Sequence, residues 1–232
     1  MSLTTLSEHT FLPRPLGSGS VVLDLGANAG AFSLAMIETF GCTCHAVEPN
    51  PAMADQIPDH PRLQLYRHAV GGAPGEATFH VCDDPLGSSL HPIDALDYSQ
   101  TLTVPVETLE HVIDRTGADR IALAKVDIEG AEIPMFEAAP DDVLRRVDQF
   151  TVEFHDFNGT TPVPVVARVL DRFRDLGFEV YRKSHATYCD VLILDAERLG
   201  VSAAELAWIR TGRHYLTGIG RRLRKAVGAG AE

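Results

Sequence analysis

Val22-Leu23-Asp24-Leu25-Gly26-Ala27-Asn28-Ala29-Gly30 decides how this chain is read. Val21 to Leu25 has the make-up of a buried strand, and it stops at a glycine turn. Residues 29–40 then read as a helix. A strand that turns through glycine into a helix opens an α/β sheet, and such sheets place ligands outside the carboxyl ends of their strands. Gly26 and Gly30 allow the sharp turn and the close approach of backbone that such a site needs.

The same alternation continues in both directions along the chain. Cys42 to Val47 predicts a second strand, closed by Glu48-Pro49-Asn50-Pro51, whose prolines cannot continue a central strand. Residues 51–57 suit a short helix and Leu63 to His68 a third strand. Residues 76–82 and 101–106 form a strand pair flanking a polar loop, and 107–116 suit a helix. Ile121 to Val126 is the next buried strand, followed by Asp127-Ile128-Glu129-Gly130 and a helix over 131–138. Val147 to Phe154 is a further strand with His155-Asp156 at its exit. Residues 163–176 carry apolar side chains at helical spacing, and Gly177 is a suitable stop. Glu179 to Arg182 and Val191 to Leu194 make a terminal pair. The expected fold is α/β and Rossmann-like: a mostly parallel sheet with one antiparallel strand and helices on both faces.

The chain has 232 residues, 45% hydrophobic and 22% charged, a composition ordinary for one soluble domain. Residues 1–20 form an N-terminal segment, 21–195 the core and 196–232 a helical, basic C-terminal extension. No apolar run approaches the roughly 20 residues of a membrane span. Met1 to Thr10 lacks the pattern of a signal peptide, so a cytoplasmic location is expected. A net charge of -12 argues against a general nucleic-acid binder. The exception is the cluster Arg210, Arg213, Arg221, Arg222, Arg224 and Lys225. It reads as a solvated helix or tail, as a contact between copies of the chain, or as a site for an acidic acceptor. Residues 203–216, with Trp208 and Tyr215, suit an amphipathic helix that packs on the body or on a second subunit. The cysteines 42, 44, 82 and 189 are scattered, and Cys42-Thr43-Cys44-His45 has no second Cys/His pair to complete a zinc site.

Two positions bear on the ligand. Started at Gly26, a dinucleotide fingerprint would need glycine at 28 and 31, where this chain has Asn28 and Ala31. A pyrophosphate wants an uncluttered helix N-terminus, whereas an amino-acid group tolerates side chains there. Glu48 ends the second strand, where a carboxylate accepts hydrogen bonds from both hydroxyls of a ribose. Asp24 serves as a further cofactor contact or as a turn cap.

Val-Leu-Asp-Leu-Gly-Ala-Asn-Ala-Gly at 22–30, Ala-Val-Glu-Pro-Asn-Pro at 46–51, Ala-Val-Gly at 69–71, Gly-Ser-Ser at 87–89, Lys-Val-Asp-Ile-Glu-Gly-Ala-Glu at 125–132 and Val-Glu-Phe-His at 152–155 occur in that order. This set, spanning about residues 20 to 195, resembles the FkbM-type methyltransferases. The resemblance implies a class I methyltransferase fold, S-adenosylmethionine as donor, and O-methylation of polyketides, sugars or glycolipids. It also implies that Gly26, Asn28, Gly30 and Glu48 line the cofactor. Val70, after the third strand, is placed to pack on the adenine, and His68 beside it has a core or loop role.

Methyl transfer from a sulfonium is an in-line displacement, so alignment of the acceptor supplies much of the rate. An alcohol also needs a base to take its proton. Candidates lie at the exits of the middle strands, in Asp127-Ile128-Glu129 and Glu153-Phe154-His155. His155 is the preferred base, since an unperturbed imidazole titrates near neutrality. Asp127 or Glu153 would orient its ring. Asp127 is the alternative base or a contact to the cofactor's amino group. Glu129 binds acceptor hydroxyls or caps the helix at Gly130, and Glu132 fits the cap better. Ser88 and Ser89 form a loop over the site, with hydroxyls that could contact the cofactor carboxylate or the substrate, or a plain turn. Asp127, Glu129, Glu153 and His155 could together hold a divalent cation such as magnesium. The competing classes are a nicotinamide oxidoreductase, disfavoured by the glycine spacing, and a non-catalytic binding module.

Overall fold

The computed structural model describes residues 3–82, 89–90, 98–156, 162–184 and 186–211. The described residues form two compact units, one ending at Asp195 and a second that begins at Ala196. In the second unit, residues 203–211 are helical, and Ser202 accepts from the Glu205 N–H as its cap. Tyr215 and the basic residues beyond Arg210 lie outside the described residues. No helix among the described residues is long and apolar enough to cross a membrane.

The main unit opens with a hairpin, β1 (Thr4–Leu6) and β2 (His9–Phe11). Next come β3 (Val21–Leu25), α1 (Ala31–Phe40), β4 (Thr43–Val47), α2 (Pro51–Ala54) and β5 (Leu63–Tyr66). A second group follows: β6 (Ala69–Val70), β7 (Gly75–Cys82), β8 (Tyr98–Glu107) and α3 (Leu109–Arg115). Then come β9 (Leu123–Val126), α4 (Glu132–Ala138), α5 (Asp141–Leu144) and β10 (Gln149–Val152). The last elements are α6 (Val163–Asp175), β11 (Glu179–Arg182) and β12 (Val191–Leu194).

Seven strands form the main sheet in the order β11-β12-β10-β9-β3-β4-β5. All neighbours are parallel except at β12, which runs antiparallel to both β10 and β11. The expected sheet, with its single antiparallel strand, is therefore observed. The chain leaves β3 toward β4 and β5, then returns to β9 on the other side. The switch point lies between β3 and β9, and ligands bind in such sheets at that crevice.

Two apolar layers cover the sheet. One packs α3, α4, α5 and α6 on Leu23, Val126, Phe150 and Val152. Phe136, Phe150 and Phe173 meet edge to face there at centroid distances of 5.3 to 5.6 Å. Burying each such side chain contributes on the order of 1.5–3 kcal/mol. The other layer packs α1 through Phe32, Met36 and Ile37 on Val22, Cys44 and Leu123, with Phe11 of the hairpin beside them. Cys42 and Cys44 are buried in it as free thiols, and no candidate metal group among the described residues contains a cysteine.

The strand pair expected at 76–82 and 101–106 exists, but it belongs to a separate three-stranded sheet, β6-β8-β7. The N-terminal hairpin was not expected. It is latched from a distance: the Thr10 N–H and hydroxyl donate to Asp190 at 3.0 and 2.6 Å. Gln149 exchanges two 2.9 Å hydrogen bonds with the backbone of Leu12. Alternation along β10 explains why. Gln149 puts a buried amide on one face of that strand, and the Leu12 backbone beside the hairpin satisfies both its donor and its acceptor.

Candidate active site

The turn between β3 and α1 is shaped by its neighbours. Gly26 has φ +79°, and a Cβ placed on it would lie 1.7 Å from the carbonyl oxygen of Asp127. Only glycine lets the turn pass over the exit of β9. Gly30, with φ +80°, would bring a Cβ to 3.2 Å from Ile57. The Gly26 and Ala27 N–H groups both donate to the Val47 carbonyl at 3.0 Å, which pins the turn to the end of β4. Asn28 holds a left-handed conformation at φ 50°.

Glu48 faces this turn from the end of β4. Its two oxygens accept 2.8 Å hydrogen bonds from the N–H groups of Asn28 and Asn50. Burial pushes its carboxyl up from the ordinary value, and those two N–H groups pull it back. A carboxylate has about four lone-pair sites, so two stay available for a vicinal diol. An open crevice adjoins it. Pro49, Met53, Ala69, Val70, Phe79 and Leu90 give it apolar walls, and Asp127, Ile128 and Glu129 line its far end. An acid fixed to accept a diol, apolar walls for a flat base and a glycine turn fit an adenosyl cofactor. His68 also lines the crevice. Burial holds its imidazole below the ordinary value, which keeps the ring neutral.

Asp24 does not line the crevice, which corrects the expectation that it touches the cofactor. It is fully buried under α1, accepting from the Ser33 N–H at 3.2 Å and hydroxyl at 2.7 Å. Lys125 Nζ stands 3.3 Å from its other oxygen. Strand register is the cause: Asp24 pairs with Lys125 across β3 and β9, on the face shared with Val22 and Leu123. Lys125 also donates to the Gly26 carbonyl at 2.5 Å and lies 3.5 Å from Asp127.

The exits of β9 and β10 carry the charged end. Burial would raise the Asp127 carboxyl, but Lys125, His9 and His155 hold it well below the usual carboxylate range. Glu129 has φ 54°, a left-handed conformation that costs a non-glycine residue on the order of 1–3 kcal/mol. His155 Nε2 lies 3.0 Å from Glu129 Oε2 and 3.7 Å from Asp127 Oδ1. Its Nδ1 is 3.0 Å from Glu132 Oε1, which also accepts 3.1 Å bonds from the N–H groups of Ile128 and Gly130. Glu132 thus braces the loop before α4, which has no side-chain cap, and it orients His155 as well. Neither Asp127 nor Glu153 is the principal partner of that ring.

These partners correct the choice of His155 as base. Burial would lower its pKa, but the hydrogen bonds it donates to Glu129 and Glu132 push it up to about 11. A ring that keeps its proton near neutrality is a poor proton acceptor. Glu153, half-buried one turn of the pleat earlier, is pushed up to about 7 by burial and the Asp127 charge. The four supposed metal ligands do not converge on one point. Asp127, Glu129 and His155 form one group, and Glu153 joins Asp127 in another with His9. His9 was missed in the sequence, since nothing local marks it. The hairpin latch places its Nε2 3.8 Å from Asp127 Oδ2.

Ser89 is buried, and its hydroxyl donates to the Glu129 carbonyl. It thus holds the β9 exit loop, and its backbone bridges to His80 of β7. Ser88 lies outside the described residues.

This strand order, with the crevice at its switch point, defines a class I methyltransferase. Residues 24–180 match the family model described as the methyltransferase FkbM domain. The chain belongs to that family and is an S-adenosylmethionine-dependent methyltransferase. A protein of Streptomyces tacrolimicus named 31-O-demethyl-FK506 methyltransferase FkbM is 28% identical over 204 residues, covering 71% of this chain and 75% of that protein. Solved structures that match include a TehB-like SAM-dependent methyltransferase from Corynebacterium glutamicum (TM-score 0.41, 14% identity, 76% of this chain and 78% of that one). Another is Aeropyrum pernix fibrillarin with natively bound S-adenosyl-L-methionine (TM-score 0.40, 12% identity, 78% and 67%). Those scores are low, and the class stands on the strand order and the family.

Proposed function

We propose that this chain methylates a hydroxyl oxygen of a small-molecule acceptor, of the sugar, glycolipid or polyketide type, with the cofactor in the crevice between Glu48 and Asp127. One observation carries the reading: the same crevice has Glu48 and Val70 at one end and Asp127 and Glu129 at the other. S-adenosylmethionine, when bound, supplies a methyl group on a sulfonium. Glu48 holds the ribose hydroxyls, Val70 packs on the adenine, and the Gly26–Gly30 turn receives the amino-acid group. Asp127 faces the charged end of the cofactor, and Lys125 keeps Asp127 ionised.

The acceptor enters over the exits of β9 and β10. Glu129 accepts a hydrogen bond from one of its hydroxyls. Glu153 would take the proton of the hydroxyl that receives the methyl group. With no ion bound, His155 keeps its proton and fixes the Glu129 carboxylate. The oxygen acceptor is supported by the relative from Streptomyces tacrolimicus, whose name specifies O-methylation.

The test is calorimetric titration with S-adenosylhomocysteine and with NAD, followed by transfer of labelled methyl across glycosides and macrolides. The reading expects one equivalent of S-adenosylhomocysteine, no binding of NAD and label on oxygen. Label only on amines in that panel would contradict it.

A further inference from the structure

We infer that Asp127, Glu129 and His155 form a binding site for a divalent transition-metal ion, with Glu132 as the group that orients the histidine. The inference rests on the proposed function only for what the ion does, which is to receive the acceptor hydroxyl.

The donor atoms already face one another. Ligand atoms, one each from Asp127, Glu129 and His155, lie within 4.8 Å of one another. Atoms bound tetrahedrally to a zinc-sized ion at about 2.0–2.1 Å stand roughly 3.3 Å apart, and the pairs here are 3.0 Å and 3.7 Å. The surroundings are those of a ligating histidine. Such a ring usually gives its other N–H to a carboxylate, which fixes the tautomer and the ring plane. Glu132 does this at 3.0 Å while fully buried and held by two backbone N–H groups. A second buried histidine points at the same aspartate. His9 is 2% exposed, its Nδ1 has no hydrogen-bond partner among the described residues, and its Nε2 stops 3.8 Å from Asp127 Oδ2, beyond hydrogen-bond reach.

Charge leads to the same place. Five carboxylates, from Asp24, Asp127, Glu129, Glu132 and Glu153, gather around one lysine and two imidazoles. Even with both rings protonated the group is negative. Lys125 lies on the Oδ2 side of Asp127, at 3.5 Å, so Oδ1 is the side that faces the ion. One imidazole with two carboxylates suits zinc, manganese or cobalt better than magnesium, which prefers oxygen and water. Three protein ligands leave positions for water and for an acceptor hydroxyl, and a bound hydroxyl loses its proton more readily. Glu153, outside this ligand set, is left to take that proton.

The experiment titrates the full chain, stripped by a chelator, with Co²⁺ while visible absorption is followed. The expected result is one equivalent bound, with d–d bands of a nitrogen- and oxygen-ligated ion. Glu132→Gln should weaken Co²⁺ binding about 10–100-fold. Glu129→Gln, at the edge of the crevice, should weaken it at least as much and is the variant of choice if changes at the buried Glu132 prevent folding. Mg²⁺ at equal concentration should not displace Co²⁺. S-adenosylhomocysteine is titrated in parallel into the stripped chain. Cofactor binding without any Co²⁺ binding overturns the metal site alone, and so does Co²⁺ binding that both variants retain. Stoichiometric Co²⁺ binding without cofactor binding supports the metal site and overturns the function proposed above.

Discussion

At the Glu48 end of the crevice, shape comes from the backbone; at the Asp127 end it comes from charge. The first end is a glycine turn, a strand end and one carboxylate held by two N–H groups. Its walls are apolar and its partners lie close in sequence. The second end gathers side chains from the N-terminal hairpin, β9, the first turn of α4 and β10. The difference matches the tasks proposed for the two ends. One recognises a ligand of fixed form, while the other must hold and deprotonate an acceptor that varies. The ends touch at Gly26, whose turn passes over the Asp127 carbonyl and also receives the Lys125 ammonium.

Gly26→Ala should therefore damage both ends at once. Its Cβ would meet backbone, not a flexible side chain. The cost is expected at the upper part of the roughly 1–3 kcal/mol typical of overpacking, or beyond it. A thermal melt and a cofactor titration check this. A variant with native melting temperature and affinity would show that the two ends are not joined there.

Glu153→Gln separates the ends. Removing the proposed proton acceptor should lower kcat about 10²–10⁴-fold and leave S-adenosylhomocysteine affinity unchanged. Equal losses in both would place Glu153 in cofactor binding instead.

The charged end should also set the pH response of the metal-free protein. The folded-state pKa of His155 is raised to about 11 from a reference of 6.5. The stability from its proton is then fully present below about pH 6.5 and is lost as pH rises through the folded value. The melting temperature should fall between neutrality and pH 10, and His155→Gln should flatten that fall. An unchanged slope in the variant would assign the dependence to other groups.

The smallest effect belongs to the apolar wall. Val70→Ala removes two buried methyl groups beside the crevice, worth at most about 1.6 kcal/mol, or about 15-fold, in cofactor affinity, with kcat unaffected. A change in kcat without one in affinity would move the adenine elsewhere.

The contrast between the ends also explains what could be read from the chain. The turn at 26–30, Glu48 and the strand–helix alternation follow from local patterns of period two and from glycine and proline, whereas the order of the strands does not. Asp24 was legible too, since Val22 and Asp24 alternate onto the α1 face, but its carboxylate drew attention to the ligand side. The charged end was only half legible. The exits of β9 and β10 were visible as Asp127-Ile128-Glu129 and Glu153-Phe154-His155. Which acid holds His155 depends on how α4 starts, and the answer is Glu132 through its hydrogen bonds to Ile128 and Gly130. His9 depends on Asp190 and Gln149, far away in sequence, and three-residue strands have no pattern of their own.

The central claim is that Glu48 and the turn beside it hold the adenosyl group. Calorimetric titration of S-adenosylhomocysteine into the unmodified chain and into Glu48→Gln tests it most directly. Charge-assisted hydrogen bonds contribute roughly 1.5–3 kcal/mol, so the account predicts one equivalent bound by the unmodified chain and an affinity about 10–100-fold weaker in the variant. No binding to the unmodified chain, or equal affinity in both, would contradict it.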